Sequence, residues 1–184
     1  RSGSAYLIPS ASLRVWVDSM EVDTAEGVVE FVVDKAEAEL GFEVYFGDDW
    51  DGDGRAELVL RAHIEGVQAG GVYVVYSANA EGGQIDLAER GAGITVTIAE
   101  DYADLGRTIA TIGDLDGDGV EELLLGAQAA SRYFAADAYV PSRFYVVMSG
   151  DLARQEDIGR EQMYLVAEAE QGEHLGSGTG RLND

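Results

Sequence analysis

The stretch "IGDLDGDGVEELLLGA", residues 112–127, places carboxylates at 114, 116, 118 and 122 directly before an apolar run. Like charges gathered at that spacing repel one another unless a cation neutralises them, so the stretch reads as a metal loop that feeds a strand. A second copy, "GDDWDGDGRAELVLRA" (47–62), has Asp49, Asp51, Asp53 and Glu57 in the places of Asp114, Asp116, Asp118 and Glu122, at a spacing of 65 residues. Two in-register copies make a repeat architecture the first expectation.

Other landmarks keep the same register. Leu40-Gly41 and Leu105-Gly106 stand nine residues before each first aspartate, and Leu175-Gly176 stands nine before Asp184. The segments "GSAYLIPS" (3–10), "GGVYVVYS" (70–77) and "SRFYVVMS" (142–149) match one another. Between them, alternation in "ITVTIAE" (94–100) and enrichment in Val, Tyr and Phe in "VVEFVVD" (28–34) and "RFYVVM" (143–148) predict short strands, while helical periodicity is weak. Each full repeat supplies four strands: one ending at the loop, one after it, one at the Tyr-Val segment and one before the next Leu-Gly. Four short strands per repeat predict an all-β fold of β-propeller blades.

On this reading residues 1–39 carry the last two strands of one blade, 40–104 a blade with the loop 49–57, 105–174 a blade with the loop 114–122, and 175–184 the first strand of another. The expected strands number eleven, and the chain reads as cut in mid-repeat at both ends. The ring is then completed either by further blades of the same chain or by head-to-tail association of two copies.

Composition narrows the function. The 184 residues carry 35 acidic and 12 basic side chains, a formal charge of −23 with Lys35 the only lysine, so phosphate backbones and anionic lipid are disfavoured as partners. No apolar run approaches the ~18 residues of a membrane span. Cysteine is absent, which excludes disulfides and thiolate metal sites. At 46% hydrophobic residues the chain has material for a sizeable core, and much of its excess acidity is equally consistent with a solvated, salt-adapted surface.

The loop spacing decides among calcium motifs. An EF-hand needs a bidentate glutamate at loop position 12, where this chain has Leu60 and Leu125. A carboxylate at position 9, followed at once by "ELVL" or "ELLLG", puts the cation in a β-hairpin turn instead. Gly52, Gly54, Gly117 and Gly119 supply the positive φ values that such a turn requires.

With these pieces in place, "LGRTIATIGDLDGDGVEELLLGA" (105–127), "LGFEVYFGDDWDGDGRAELVLRA" (40–62) and "LGSGTGRLND" (175–184) resemble FG-GAP repeats, the blades of integrin α-subunit propellers and of many bacterial surface proteins. The departures are Leu-Gly for Phe-Gly, Arg61-Ala62 for Gly-Ala, and no closing proline. The resemblance implies two Ca²⁺ sites. Side chains at positions 1, 3, 5 and 9 and the carbonyl at position 7 bind the ion: Asp49, Asp51, Asp53, Arg55 and Glu57 in one loop, Asp114, Asp116, Asp118, Val120 and Glu122 in the other. Asp184 would open a third loop.

A cation held wholly by protein oxygens on a hairpin acts as a structural clip, since catalysis requires an open coordination position. Partner recognition is expected on the opposite face, where the long connection 127–143 carries Tyr133, Phe134 and Tyr139; packing of these aromatics beneath their own loop is the competing expectation. Trp50 either shields its loop from water or stacks on a sugar ring. His63 and His174 have no Ser or Cys constellation beside them. The chain therefore reads as a calcium-stabilised binding or adhesion module, secreted or at the cell surface, with a protein or glycan partner. A calcium-dependent polysaccharide lyase or hydrolase, or a structural spacer, are the alternatives. Because repeats in such arrays interact mainly as neighbours, each loop is expected to hold its ion independently.

Overall fold

A computed structural model describes residues 3–9, 26–34, 38–64, 67–89, 91–98, 104–128 and 141–169. Among them are eleven strands: β1 (Ala5–Leu7), β2 (Val29–Val32), β3 (Val44–Phe46), β4 (Leu58–Ile64), β5 (Val67–Val75), β6 (Gly83–Asp86), β7 (Ile94–Val96), β8 (Leu105–Thr111), β9 (Leu123–Ala127), β10 (Arg143–Val147) and β11 (Tyr164–Glu168). The one α-helix among the described residues, α1 (Ser149–Leu152), has four residues, so the fold is all-β. No helix among the described residues is long and apolar enough to cross a membrane.

The strands form three sheets, with the orders β1-β2-β6, β3-β4-β5-β7 and β8-β9-β10-β11. The two four-stranded sheets are antiparallel throughout, and each draws its strands from one stretch of chain, 44–96 and 105–168. The middle sheet shows why its strands are apolar on both faces. Leu58, Leu60 and Ala62 of β4 and Tyr73 and Val75 of β5 pack with Val29 and Phe31 of β2 and with Val33 just after it. The alternate residues Val59, Val72 and Val74 pack with Leu123, Leu125, Tyr145 and Val147 of the third. A strand covered on both sides loses the polar half of its alternation, which is why "LVL" and "VYVV" read as continuous apolar runs.

Glycines set the spacing between successive sheets. A Cβ on Gly3 would lie 2.6 Å from the backbone of Leu40, and one on Gly70 would lie 3.0 Å from that of Leu105. The Leu-Gly pairs therefore mark the line along which each repeat abuts the third strand of the repeat before it. Arg61 fills the same junction beside Gly106. It is 3% exposed, pairs with Asp104 and stacks 4.9 Å over the Phe42 ring.

One strand departs from the sequence expectation. The strand anticipated at 175–184 lies outside the described residues. The eleventh described strand is instead β6, which leaves its own repeat and pairs parallel with β2 of the first sheet. The next repeat echoes this step, with Ile158 bridging Val96 in parallel. In both places an aspartate receives a backbone N–H of the neighbouring sheet: Asp86 accepts from Asp34 and Asp157 from Thr95. The following apolar residue, Leu87 or Ile158, is buried. Four-residue "GQID" has too little alternation to announce a strand, because its partner is 54 residues away in sequence (Val29 opposite Gly83) and supplies the ladder.

Candidate metal centre

Each carboxylate loop joins the first two strands of a four-stranded sheet, 49–57 between β3 and β4 and 114–122 between β8 and β9. The hairpin closes through backbone bonds at its base. Gly47 N donates to Glu57 O at 2.8 Å in one copy, and Ile112 N donates to Glu122 O at 3.1 Å in the other. Above the base, aspartate oxygens curl the turn by accepting backbone N–H groups. Asp49 accepts from Gly52 and Gly54, and Asp114 from Gly117 and Gly119. Gly52 and Gly54 have φ of 78° and 88°, and Gly117 and Gly119 83° and 94°. A side chain is strained there, so the glycines are conformational requirements, as the sequence indicated.

This curling brings one oxygen from each of Asp49, Asp51, Asp53 and Glu57 within 4.8 Å of one another, and likewise for Asp114, Asp116, Asp118 and Glu122. The arrangement is graded: three aspartates at the accessible rim and one glutamate, 0% exposed, at the floor. One floor oxygen is satisfied in each case, since Glu57 Oε2 accepts from Trp50 N and Glu122 Oε2 from Leu115 N. The second oxygen, Oε1 of both Glu57 and Glu122, is buried with no hydrogen-bond partner. An ionised oxygen so placed is costly. Burial pushes the Glu57 carboxyl up to about 7; the Trp50 N–H opposes the shift, and Asp51, Asp49 and Asp53 add to it. The donor set is entirely hard oxygen, which suits a divalent cation such as Ca²⁺ with six to eight oxygens at about 2.3–2.6 Å. Arg55 and Val120 donate their backbone N–H to Asp53 and Asp118, which holds the chain at position 7 against the loop.

Two residues with no assigned part in the sequence reading support the loops. Ser77 Oγ donates to Asp53 Oδ2, and Ser149 Oγ donates to Asp118 Oδ2 at 2.8 Å. Both serines end the Tyr-Val segment of their repeat, and that shared position was the available signal. Trp50 is 3% exposed and its indole donates to Glu121 O at 2.8 Å, so it shields the loop and offers no face to a sugar. The loops are moreover bonded to each other: besides Trp50, Asp48 Oδ2 accepts from Glu121 N at 2.8 Å. These two hydrogen bonds join the two repeats directly at this contact. Tyr133, Phe134, Tyr139, His174 and Asp184 lie outside the described residues. Compared with known proteins, the chain matches no family model, no curated protein and no solved structure.

Proposed function

We propose that this chain is part of a calcium-stabilised β-propeller of the FG-GAP kind, serving as a binding or adhesion module of a secreted or cell-surface protein, with a protein or glycan partner. The observation that carries the calcium part is the pair of orphaned floor oxygens, Glu57 Oε1 and Glu122 Oε1, each buried beneath three aspartates. A bound cation supplies the missing partner and offsets the mutual repulsion of the four carboxylates. All three sheets stack face to face in chain order with cores between them, which is how successive blades pack. Val44 and Phe46 on the first strand of the middle sheet, and Phe42 just before it, are more than half exposed. They suit further strands that complete a ring, from the same chain or from a second copy.

Bound calcium stabilises the native state by RT ln(1 + [Ca²⁺]/Kd) per site, about 2.7 kcal/mol at a hundredfold excess over Kd. Calorimetry should count two ions per chain, and the melting temperature should rise in millimolar calcium relative to excess EDTA. Superimposable melting curves in the two conditions overturn the calcium reading. An array of immobilised glycans and extracellular proteins, probed with and without calcium, tests the module reading, which fails if binding is nowhere calcium-dependent.

A further inference from the structure

We propose that the two loops bind their cations with positive cooperativity, through a relay that runs from Glu57 by way of Trp50 to Glu121 and Glu122. The proposal rests on the calcium reading and adds a regulatory link between the two sites.

Trp50 bonds the floor of its own loop and the residue beside the floor of the other. Its backbone N–H donates to Glu57 Oε2, the floor of its own loop. Its indole N–H donates to Glu121 O, the carbonyl adjoining the floor residue of the other loop. Asp48 completes the clasp: its Oδ2 accepts from Glu121 N, while its Oδ1 accepts from Asp49 N beside the first ligand position. Both backbone groups of Glu121 are thus held, the N–H by Asp48 at the base of the first hairpin and the carbonyl by Trp50 of its loop. Tyr45 adds a bond to Thr111, three residues before Asp114. The residues that build the clasp are places where the first copy departs from the second: Gly47, Asp48 and Trp50 stand opposite Ile112, Gly113 and Leu115. Gly47 is required because a Cβ there would lie 2.1 Å from the Trp50 ring.

In the cation-free chain each loop is loosened by repulsion among its four carboxylates. Ordering one loop places Trp50 and Asp48, and these in turn hold Glu121 and bring Glu122 to its floor position. The second cation then meets a loop whose ordering has already been accomplished, which is positive coupling through shared order. Direct electrostatics acts in the opposite sense, because the first cation weakens the negative field at the second site. With four ionised carboxylates and one divalent cation each loop keeps a charge of −2 (−4 + 2), and at 0.15 M salt a Debye length of about 8 Å damps that exchange. Coupling of about tenfold, within the usual range of about 5- to 150-fold, is expected.

The test is calorimetric titration of the full chain with calcium chloride at 0.15 M salt, in wild type and in the single-site variants Asp51→Ala and Asp116→Ala, whose carboxylates lie at the loop rims. Disabling either loop should lower the affinity of the other about tenfold, and reciprocity requires the same factor in both directions. Trp50→Phe, which keeps an aromatic ring but removes the indole N–H, should bring that factor down at least threefold. Unchanged affinity of the intact loop in the single-site variants overturns the proposal, as does a coupling factor that survives Trp50→Phe. Two ions bound without coupling defeat this inference alone, whereas no ion bound at millimolar calcium defeats the calcium reading with it. Should Asp51→Ala not fold, Asp116→Ala in the wild-type and Trp50→Phe backgrounds decides the matter.

Discussion

The loops 49–57 and 114–122 carry the same carboxylates at the same spacing, but the residue at their second position sits in opposite surroundings. Trp50 is 3% exposed beneath the neighbouring hairpin, while Leu115 is 57% exposed. Both backbone N–H groups do the same work, donating to the floor glutamate. The side chains do not, because only the first loop faces a following sheet among the described residues. Gln155, from the connection after α1, also reaches Asp51 across that boundary. A repeat thus supplies identical local chemistry at each copy, and the neighbour decides what else the copy does. The same holds for the sheets: residues 72–75 of β5 are buried on both faces, whereas Tyr164, Leu165 and Val166 of β11 are exposed.

The sharpest way to break this contrast is to truncate the two second-position side chains. Trp50→Ala removes a buried indole from the core between the second and third sheets and should cost about 3–5 kcal/mol in denaturant unfolding. Leu115→Ala removes an exposed side chain and should stay within about 0.5 kcal/mol. Equal costs would show that the loops are equivalent after all.

A pH profile of the metal-free chain tests the floor of the first loop. Because the native Glu57 pKa is raised from 4.5 to about 7, the native state holds that proton more tightly than the unfolded chain does. Its stabilising contribution is therefore complete below about pH 4.5 and is lost as pH rises through about 7, a change on the order of 3 kcal/mol. Calcium requires the ionised form, so calcium affinity should climb over the same window. Unfolding free energies from pH 4 to pH 8 in EDTA should show the fall in wild type and a flatter profile in Glu57→Gln; identical profiles would assign the slope to other groups.

The smallest effects concern the serines. Ser77→Ala and Ser149→Ala each delete one hydrogen bond to a position-5 aspartate, for about 1 kcal/mol of stability and a calcium affinity lowered by about tenfold. Ser149 is the more buried of the two, so its substitution should have the larger effect, as read by calorimetry. An effect confined to Ser77 would reverse the ranking.

Much of this molecule is written locally. Alternation in 94–100 and the apolar runs 58–60 and 72–75 announce strands, since burial on one or both faces leaves its mark in the residues themselves. The Asp-x-Asp-Gly-Asp-Gly spacing with a carboxylate at position 9 announces both clusters, because a turn of that length folds its own oxygens inward and needs no distant partner. What sequence alone does not carry is everything that depends on a neighbour brought close by folding. "GQID" becomes β6 only because β2 offers a free edge. Ser77 and Ser149 become supports only because the third strand of each sheet ends under its loop. Asp48 and Trp50 look like two more residues of an acidic turn until the next hairpin places the backbone of Glu121 against them. A cation loop is a short-range object, set by backbone conformation over nine residues, and its pattern survives in the linear chain. The clasp between two loops joins residues 71 and 73 positions apart, and only the stacking of one sheet upon the next brings their donors and acceptors within reach.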